Sequence, residues 1–266
     1  MRPRTATAIS AAVLVAGWLL LTWGGFVSDL FLPPPSQLWD ALVDLWQEGY
    51  KNRSIWEHIG QSLIRVLVGF GTGAIVGTAM GLLMGYFKTI DSLFAPFIEF
   101  LRPLPQLAYL VILIIWLGID EASKITLLFL AALPVAAVAA RDGVRNVSQI
   151  RIRVAQSLGA KRSHIFFYIV FPSALAEIFT GARLAIGIVY ATLIASEIIA
   201  GTNGIGWMIF DAGRFLRSDF VFIGIIIVGI MGIAIDRLIL MVETRVVHWA
   251  GKQYTDPSRL ICQRHT

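Results

Sequence analysis

Charge is scarce in this sequence: 15% of its residues are Asp, Glu, Lys or Arg, where a soluble domain carries about 25%. That shortage excludes an ordinary water-facing surface. Cysteine is rarer still. The lone Cys262 rules out an intrachain disulfide, and its place in a polar tail carries no redox message. CxxC, HExxH and GxxxxGK-Ser/Thr patterns are absent, so the chain offers no readable metal site and no ATP-binding loop of its own. No cluster of His, Asp and Glu at catalytic spacing supports a membrane-embedded enzyme. No internal repeat supports an ion-gradient-driven secondary transporter, which often shows one.

What the chain has is apolar length. Hydrophobic residues make up 57% of it and come in blocks rather than in alternation. Several blocks reach the ~20 residues that cross a bilayer core as a helix. The expectation is an all-α polytopic bundle in one domain over 1–266, with about six spans at 8–26, 63–86, 90–117, 124–140, 175–200 and 220–242. The first block follows Arg2 and Arg4, a plan shared with cleaved signal peptides. No small-x-small cleavage site follows it and further spans do, so it reads as an uncleaved anchor. Phe31-Leu-Pro-Pro-Pro-Ser36 is a stiff turn. Ser36 is expected to cap a helix over 36–48. Leu38, Ala41, Leu42 and Leu45 recur there at helical spacing between Asp40, Asp44 and Glu48, the pattern of an amphipathic helix at the membrane surface.

Two spans carry unusual features. Gly69, Gly73, Gly77, Gly81 and Gly85 fall every fourth residue along 63–86. Residues four apart share a helix face, and a face of bare backbone lets another helix approach closely. In the third span the apolar run 107–117 is too short to cross alone. The crossing must begin near Ile90 and take in Glu99, Arg102, Pro103, Pro105 and Gln106. Prolines break the helix, and a broken helix at membrane depth must face protein or a water-filled cavity.

The longest polar interior segment, 141–164, holds Arg141, Arg145, Arg151, Arg153, Lys161 and Arg162 against the single acid Asp142. The positive-inside rule puts it in the cytoplasm. The tail, with Lys252, Arg259 and Arg264, is placed there too. A cytoplasmic N-terminus and six crossings agree with both. A short helix is expected from Asn146 to Gly159, with Val154, Ala155 and Leu158 on one face and Gly159 as its stop. A second is expected from Ser163 to about Val170, with Pro172 turning the chain into the fifth span. A small-residue helix ended by glycine at a membrane surface is a compact knob that suits a groove on a soluble partner. The alternative is a basic connector that merely obeys the charge rule.

These residues resemble the cytoplasmic signature E-A-A-x3-G-x9-I-x-L-P of membrane subunits of binding-protein-dependent ABC importers. Ala155, Gly159, Ile169 and Pro172 match at the family spacing; Arg153, Val154 and Phe171 replace the glutamate, the first alanine and the leucine. Phe31-Leu-Pro-Pro-Pro35, Arg102-Pro-Leu-Pro-Gln-Leu-Ala108, Trp116-Leu-Gly-Ile-Asp-Glu-Ala-Ser-Lys124, Ala195-Ser-Glu-Ile-Ile-Ala200 and Gly204-Ile-Gly206 extend the resemblance to the nitrate, sulfonate and taurine group, taurine permeases in particular. The resemblance implies a type I importer permease whose loop 141–172 couples to an ATPase through Ala155, Gln156, Leu158, Gly159, Ala160, Ile169 and Pro172. It implies a second copy of this chain, two ATPase subunits that carry ATP and Mg, and a periplasmic binding protein, in a bacterial inner membrane. Lipid surrounds the spans, and no nucleic acid enters the scheme. Substrates of the group include taurine, other sulfonates, nitrate, bicarbonate and thiamine precursors.

Ionisable residues inside spans default to functional candidates. Glu99, Arg102, Arg183, Glu197 and Asp236 qualify. Arg102 or Arg183 could attract a sulfonate and Glu197 an ammonium. The competing expectation is that these residues pair with one another and hold the bundle.

Overall fold

The computed structural model describes residues 3–249, so Cys262 and the basic residues Lys252, Arg259 and Arg264 lie outside the described residues. The described chain is helical: α1 Pro3–Trp23, α2 Pro35–Gln47, α3 Ile55–Tyr86, α4 Lys88–Leu101, a 3-10 turn Gln106–Tyr109, α5 Leu110–Leu117, α6 Glu121–Arg145, α7 Gln149–Ser157, α8 Arg162–Ile165, a π-helical turn Phe166–Val170, α9 Phe171–Ala200, α10 Ile205–Arg214 and α11 Ser218–Val246. Among the described residues, four helical stretches are long and apolar enough to cross a membrane: Ile55–Tyr86, Glu121–Arg145, Arg162–Ala200 and Ser218–Val246. A fifth crossing is available from Lys88–Leu101 with Gln106–Leu117, bent by 96°. The first expected span, 8–26, is helical through α1, several of whose side chains lie outside the described residues; it is not among the four.

Local chemistry explains where the boundaries differ from expectation. Helix α3 begins at Ile55, ahead of the expected span edge at 63. Ser54 Oγ accepts the Glu57 backbone N–H at 3.2 Å, and Ser-x-x-Glu is a capping-box signature. Helix α2 is not capped by Ser36. Pro34 is the N-cap and Pro35 opens the helix, where its missing N–H costs nothing. Pro172 makes no turn. The helix runs on from Arg162 to Ala200, and the wider π-helical turn before Pro172 takes up the backbone that a proline ring would otherwise strike. In the third span the break falls at Pro103 and Pro105: α4 stops at Leu101 and the chain resumes as the 3-10 turn.

The fold divides into two compact units, one of Met1–Arg65 with Leu193–Met231, the other of Val66–Thr192 with Gly232–Thr266. The core of the first gathers Ala41 and Leu45 of α2, Tyr50, Ile55, and Ile205, Met208 and Ala212 of α10 around Phe220 and Ile223. In the second, the glycine ladder of α3 lies on α6. A Cβ added at Gly73 would sit 2.6 Å from the Phe129 carbonyl oxygen, and one at Gly85 2.6 Å from Val144 Cβ. At Gly77 and Gly81 it would run into the carbonyls of Leu133 and Ala137. Small residues Ala132, Ala136 and Ala137 complete the contact from the α6 side, all buried. Close backbone approach of this kind is how helices associate where the solvent is as apolar as the side chains.

Candidate functional site

Helix α7 sits between the two long helices α6 and α9 in sequence, and its end is built by hydrogen bonds that demand glycine. The Gly159 N–H donates to the Gln156 carbonyl and the Ala160 N–H to the Ala155 carbonyl, both at 3.0 Å. This 5→2 and 6→1 pair is a Schellman stop, and Gly159 takes the required positive φ of 79°. Space around Gly159 is open, so backbone conformation alone selects the residue.

The faces of α7 are divided. Ile152 and Ala155 turn inward, half-buried against a cluster of Val144, Val147, Ile165, Val170 and Ala174; Ala160 and Ile169 join it. Ile150, Val154 and Leu158, four residues apart, are 74%, 54% and 82% exposed. Ala155 therefore does not share an outward face with Val154 and Leu158, as the sequence reading had it. Its small side chain lets α7 settle on its own chain, and the outward apolar row is Ile150–Val154–Leu158. Beside it, Gln149 and Gln156 line a cavity of about 590 Å³ together with Lys88, Arg145 and Arg162. Pro172 stands in the first turn of α9.

The charged candidates of the spans go to different places. Glu99 accepts a hydrogen bond from Arg141 at 3.1 Å, and Arg141 also pairs with Asp91 at 2.6 Å. Arg145 reaches the same Asp91, so α4 and the last turns of α6 are tied by one ionic network. Arg183 and Asp236 form a two-pronged pair at 2.8 and 3.2 Å. Arg102 and Gln106 line a cavity of about 500 Å³ at the break of the third span, opposite Asp142 of α6 and Glu177 and Thr180 of α9. Pro103 and Pro105 form the bend itself and are exposed.

Glu197 is not open to a ligand. Its Oε1 accepts from Ser62 Oγ at 2.7 Å and Arg65 Nη1 at 2.6 Å, and its Oε2 from the Gly206 N–H at 2.7 Å. Both side chains of the pair are buried, at 1% and 0% exposure for Arg65 and Glu197. The arrangement fastens the loop 201–206. Arg65 also donates to the Asn203 carbonyl at 3.1 Å and to its side-chain oxygen, while the Ile205 N–H donates to Ser62 Oγ. The Gly204 N–H donates to His58 Nδ1, which must then be unprotonated. The ring proton sits on Nε2 and faces the Tyr50 carbonyl at 3.3 Å. The carboxylate at the start of α10 also complements that helix's N-terminal dipole.

Sequence reasoning missed Arg65, Ser62, His58 and Asn203. Arg65 carried the same signal as the residues that were singled out, an ionisable group inside an apolar block, but stood close to the expected span edge. A second missed cluster joins Lys51 and Tyr50 to Asp211 at 2.9 and 2.8 Å. Burial would raise the Asp211 carboxyl, but the hydrogen bonds and charge of Lys51 and the bond from Tyr50 outweigh it and hold the group below its usual value. Burial, then the bond to Asp211, pushes the Tyr50 hydroxyl well above the ordinary tyrosine range. Among the described residues no group of three or more His, Cys, Asp and Glu could hold a metal ion.

A bundle with a broken span and a short exposed helix between two crossings is the fold of type I ABC importer permeases. The inward-facing MetNI methionine ABC transporter superposes with a TM-score of 0.53 at 18% identity, over 70% of this chain and 97% of that one. An amino acid ABC transporter crystallised with histidines gives 0.59 at 18% identity, over 78% and 96%. The chain belongs to the family described as the binding-protein-dependent transport system inner membrane component, which it matches over residues 73–248. It is a permease subunit of an ABC importer, a multi-pass membrane transport protein. It is 38% identical to the taurine transport system permease protein of Escherichia coli (strain K12), over 91% of this chain and 88% of that protein. It is 32% identical to a putative aliphatic sulfonates transport permease protein of Bacillus subtilis (strain 168), over 90% and 85%. To the nitrate import permease protein of Synechocystis sp. it is 34% identical, over 90% and 88%.

Proposed function

We propose that this permease imports taurine or another aliphatic sulfonate across a bacterial inner membrane. Two copies of the chain form the pathway. Two ATPase subunits, which carry ATP and Mg, dock from the cytoplasm, and a periplasmic binding protein delivers substrate. Both termini and the 141–172 loop are cytoplasmic. The similarity to a taurine permease at 38% over 91% of the chain supports the substrate class.

The observation that carries the mechanism is the α7 knob: an exposed row of Ile150, Val154 and Leu158 on a nine-residue helix closed by the Gly159 stop and rooted through Ile152 and Ala155 on the inner ends of α6 and α9. The row enters a groove on the ATPase. Closure of the ATPases on ATP moves α7, and the packing of α7 on its own chain passes that motion to the crossings. The cavity then turns from inward-facing to outward-facing, substrate enters from the binding protein, and hydrolysis resets the cycle. Motion is carried without loss only if α7 is rigid at its end and well rooted, which the Schellman stop and the half-buried Ala155 supply.

Uptake of radiolabelled taurine by vesicles holding this permease, its ATPase and its binding protein tests the reading. ATP-dependent accumulation is expected, with alkanesulfonates as competitors. Accumulation of nitrate in preference to taurine would assign the second substrate class. Uptake that needs an ion gradient and survives loss of the ATPase would refute the importer mechanism.

A further inference from the structure

The charges that line the cavity at the broken span differ from the other charges of the bundle. Glu99, Arg183, Glu197 and Asp236 are each held in an ion pair. Arg102, Asp142 and Glu177 line one cavity, and among the described residues none of the three is in an ion pair. All three side chains are exposed, so water or a dissolved solute reaches them. The broken backbone at Pro103 and Pro105 is of the kind found where a span faces protein or such a space.

The charges are separated by the elements that carry them. Arg102 and Gln106 stand on the break between α4 and α5. Asp142 belongs to the inner end of α6, and Glu177 and Thr180 lie about one turn apart on α9. Pro134 and Leu184 add apolar wall. The volume, about 500 Å³, is in the range of small-molecule sites, roughly 300–1,000 Å³.

We propose that this cavity is a substrate site of the permease itself, selective for a small zwitterion with a sulfonate at one end and an ammonium at the other. Arg102, with Gln106, takes the sulfonate; a guanidinium presents parallel N–H donors to such an oxyanion. Glu177, with Asp142, takes the ammonium. This rests on the importer reading above and narrows its substrate class. Nitrate or a plain alkanesulfonate would meet two carboxylates against one guanidinium, whereas an aminosulfonate gives each pole an opposite charge.

The test uses the permease with its ATPase subunits in lipid nanodiscs, without binding protein, carrying Thr180→Cys and Cys262→Ser. Saturating taurine should slow thiol labelling of the introduced cysteine at least fivefold, while ethanesulfonate and nitrate at the same concentration leave it unchanged. Arg102→Gln or Glu177→Gln, added to that background, should each raise the taurine concentration for half-protection at least tenfold in complexes that remain assembled. Equal protection by ethanesulfonate or nitrate, no protection by taurine, or undiminished protection in either charge variant would overturn the proposal. If the charge variants do not assemble, the comparison of the three probes on the parent decides alone. Taurine uptake by the full assembly separates the two levels. Uptake without protection refutes this site and leaves the importer reading in place; absence of uptake removes that reading.

Discussion

Removing Glu197 should damage the fold before it damages transport. Its carboxylate accepts three hydrogen bonds, from Ser62, Arg65 and the Gly206 N–H, in a site where both charged side chains are almost wholly buried. Glu197→Ala leaves a buried guanidinium without its counter-charge, and breaking a buried pair from one side costs about 3–5 kcal/mol. It also strands the donors of Ser62 and Gly206. Ser62→Ala removes a donor to a carboxylate and an acceptor for the Ile205 N–H, worth about 2–3 kcal/mol together. Replacing both charges, Arg65→Met with Glu197→Leu, should recover a large part of the loss, because the desolvation of two ions disappears with them. The assay is equilibrium unfolding of the purified permease in mixed micelles for both single variants and the double variant. Single variants within about 0.5 kcal/mol of wild type would refute the structural role. So would a Glu197→Gln variant that keeps full stability and loses only taurine transport, since that outcome belongs to a ligand site.

Three further outcomes follow from the same packing and charges. Gly77→Leu raises hydrophobicity but places a side chain against the Leu133 carbonyl; it should cost at least the 1–3 kcal/mol of ordinary overpacking and lower the yield of assembled complex on size exclusion, and normal assembly would show that the ladder tolerates bulk. Cysteines at Ser148 and at Asn52, in a Cys262→Ser background, should react with an impermeant reagent from opposite sides of the membrane; reaction of both in intact cells contradicts the topology. Asp211 has a depressed pKa in the folded chain. Its stabilising contribution is present above the unfolded carboxyl value of about 3.9 and is lost as pH falls through the lower folded value, so the stability difference between wild type and Asp211→Asn should shrink only in that acid window.

Much of the architecture was legible because a membrane simplifies the code. Apolar length marks helices able to cross, four among the described residues or five with the bent pair where six were expected, paired prolines mark the break at 103–105, and a glycine every fourth residue marks a close helix contact. The stop at Gly159 was legible for the same local reason: a left-handed residue after a helix is usually glycine. What depended on tertiary partners was not. Arg65 and Glu197 meet across 132 positions, and nothing local to Glu197 distinguishes a carboxylate that holds a loop from one that holds an ammonium. The inward turn of Ala155 was hidden too, because a nine-residue helix offers two apolar rows and only packing decides which one faces out. Pro172 misled for a different reason. A proline reads as a break, and the π-helical turn that absorbs it has no pattern of its own. The early start of α3 is written locally in Ser54 and Glu57, polar residues that lie outside the apolar block by which a span is recognised.

Retention of the ATPase by Leu158→Asp tests the central claim most directly. Leu158 is 82% exposed, so the substitution leaves the permease's own packing alone. In the docked state it replaces a side chain whose burial is worth about 1.5–3 kcal/mol with a charge that must be desolvated. Pull-down of the ATPase with the variant permease should fall at least tenfold relative to wild type, with the variant inserted in the membrane at normal level. Retention equal to wild type, with substrate-stimulated ATP hydrolysis unchanged, would contradict the account and leave α7 as a charged connector.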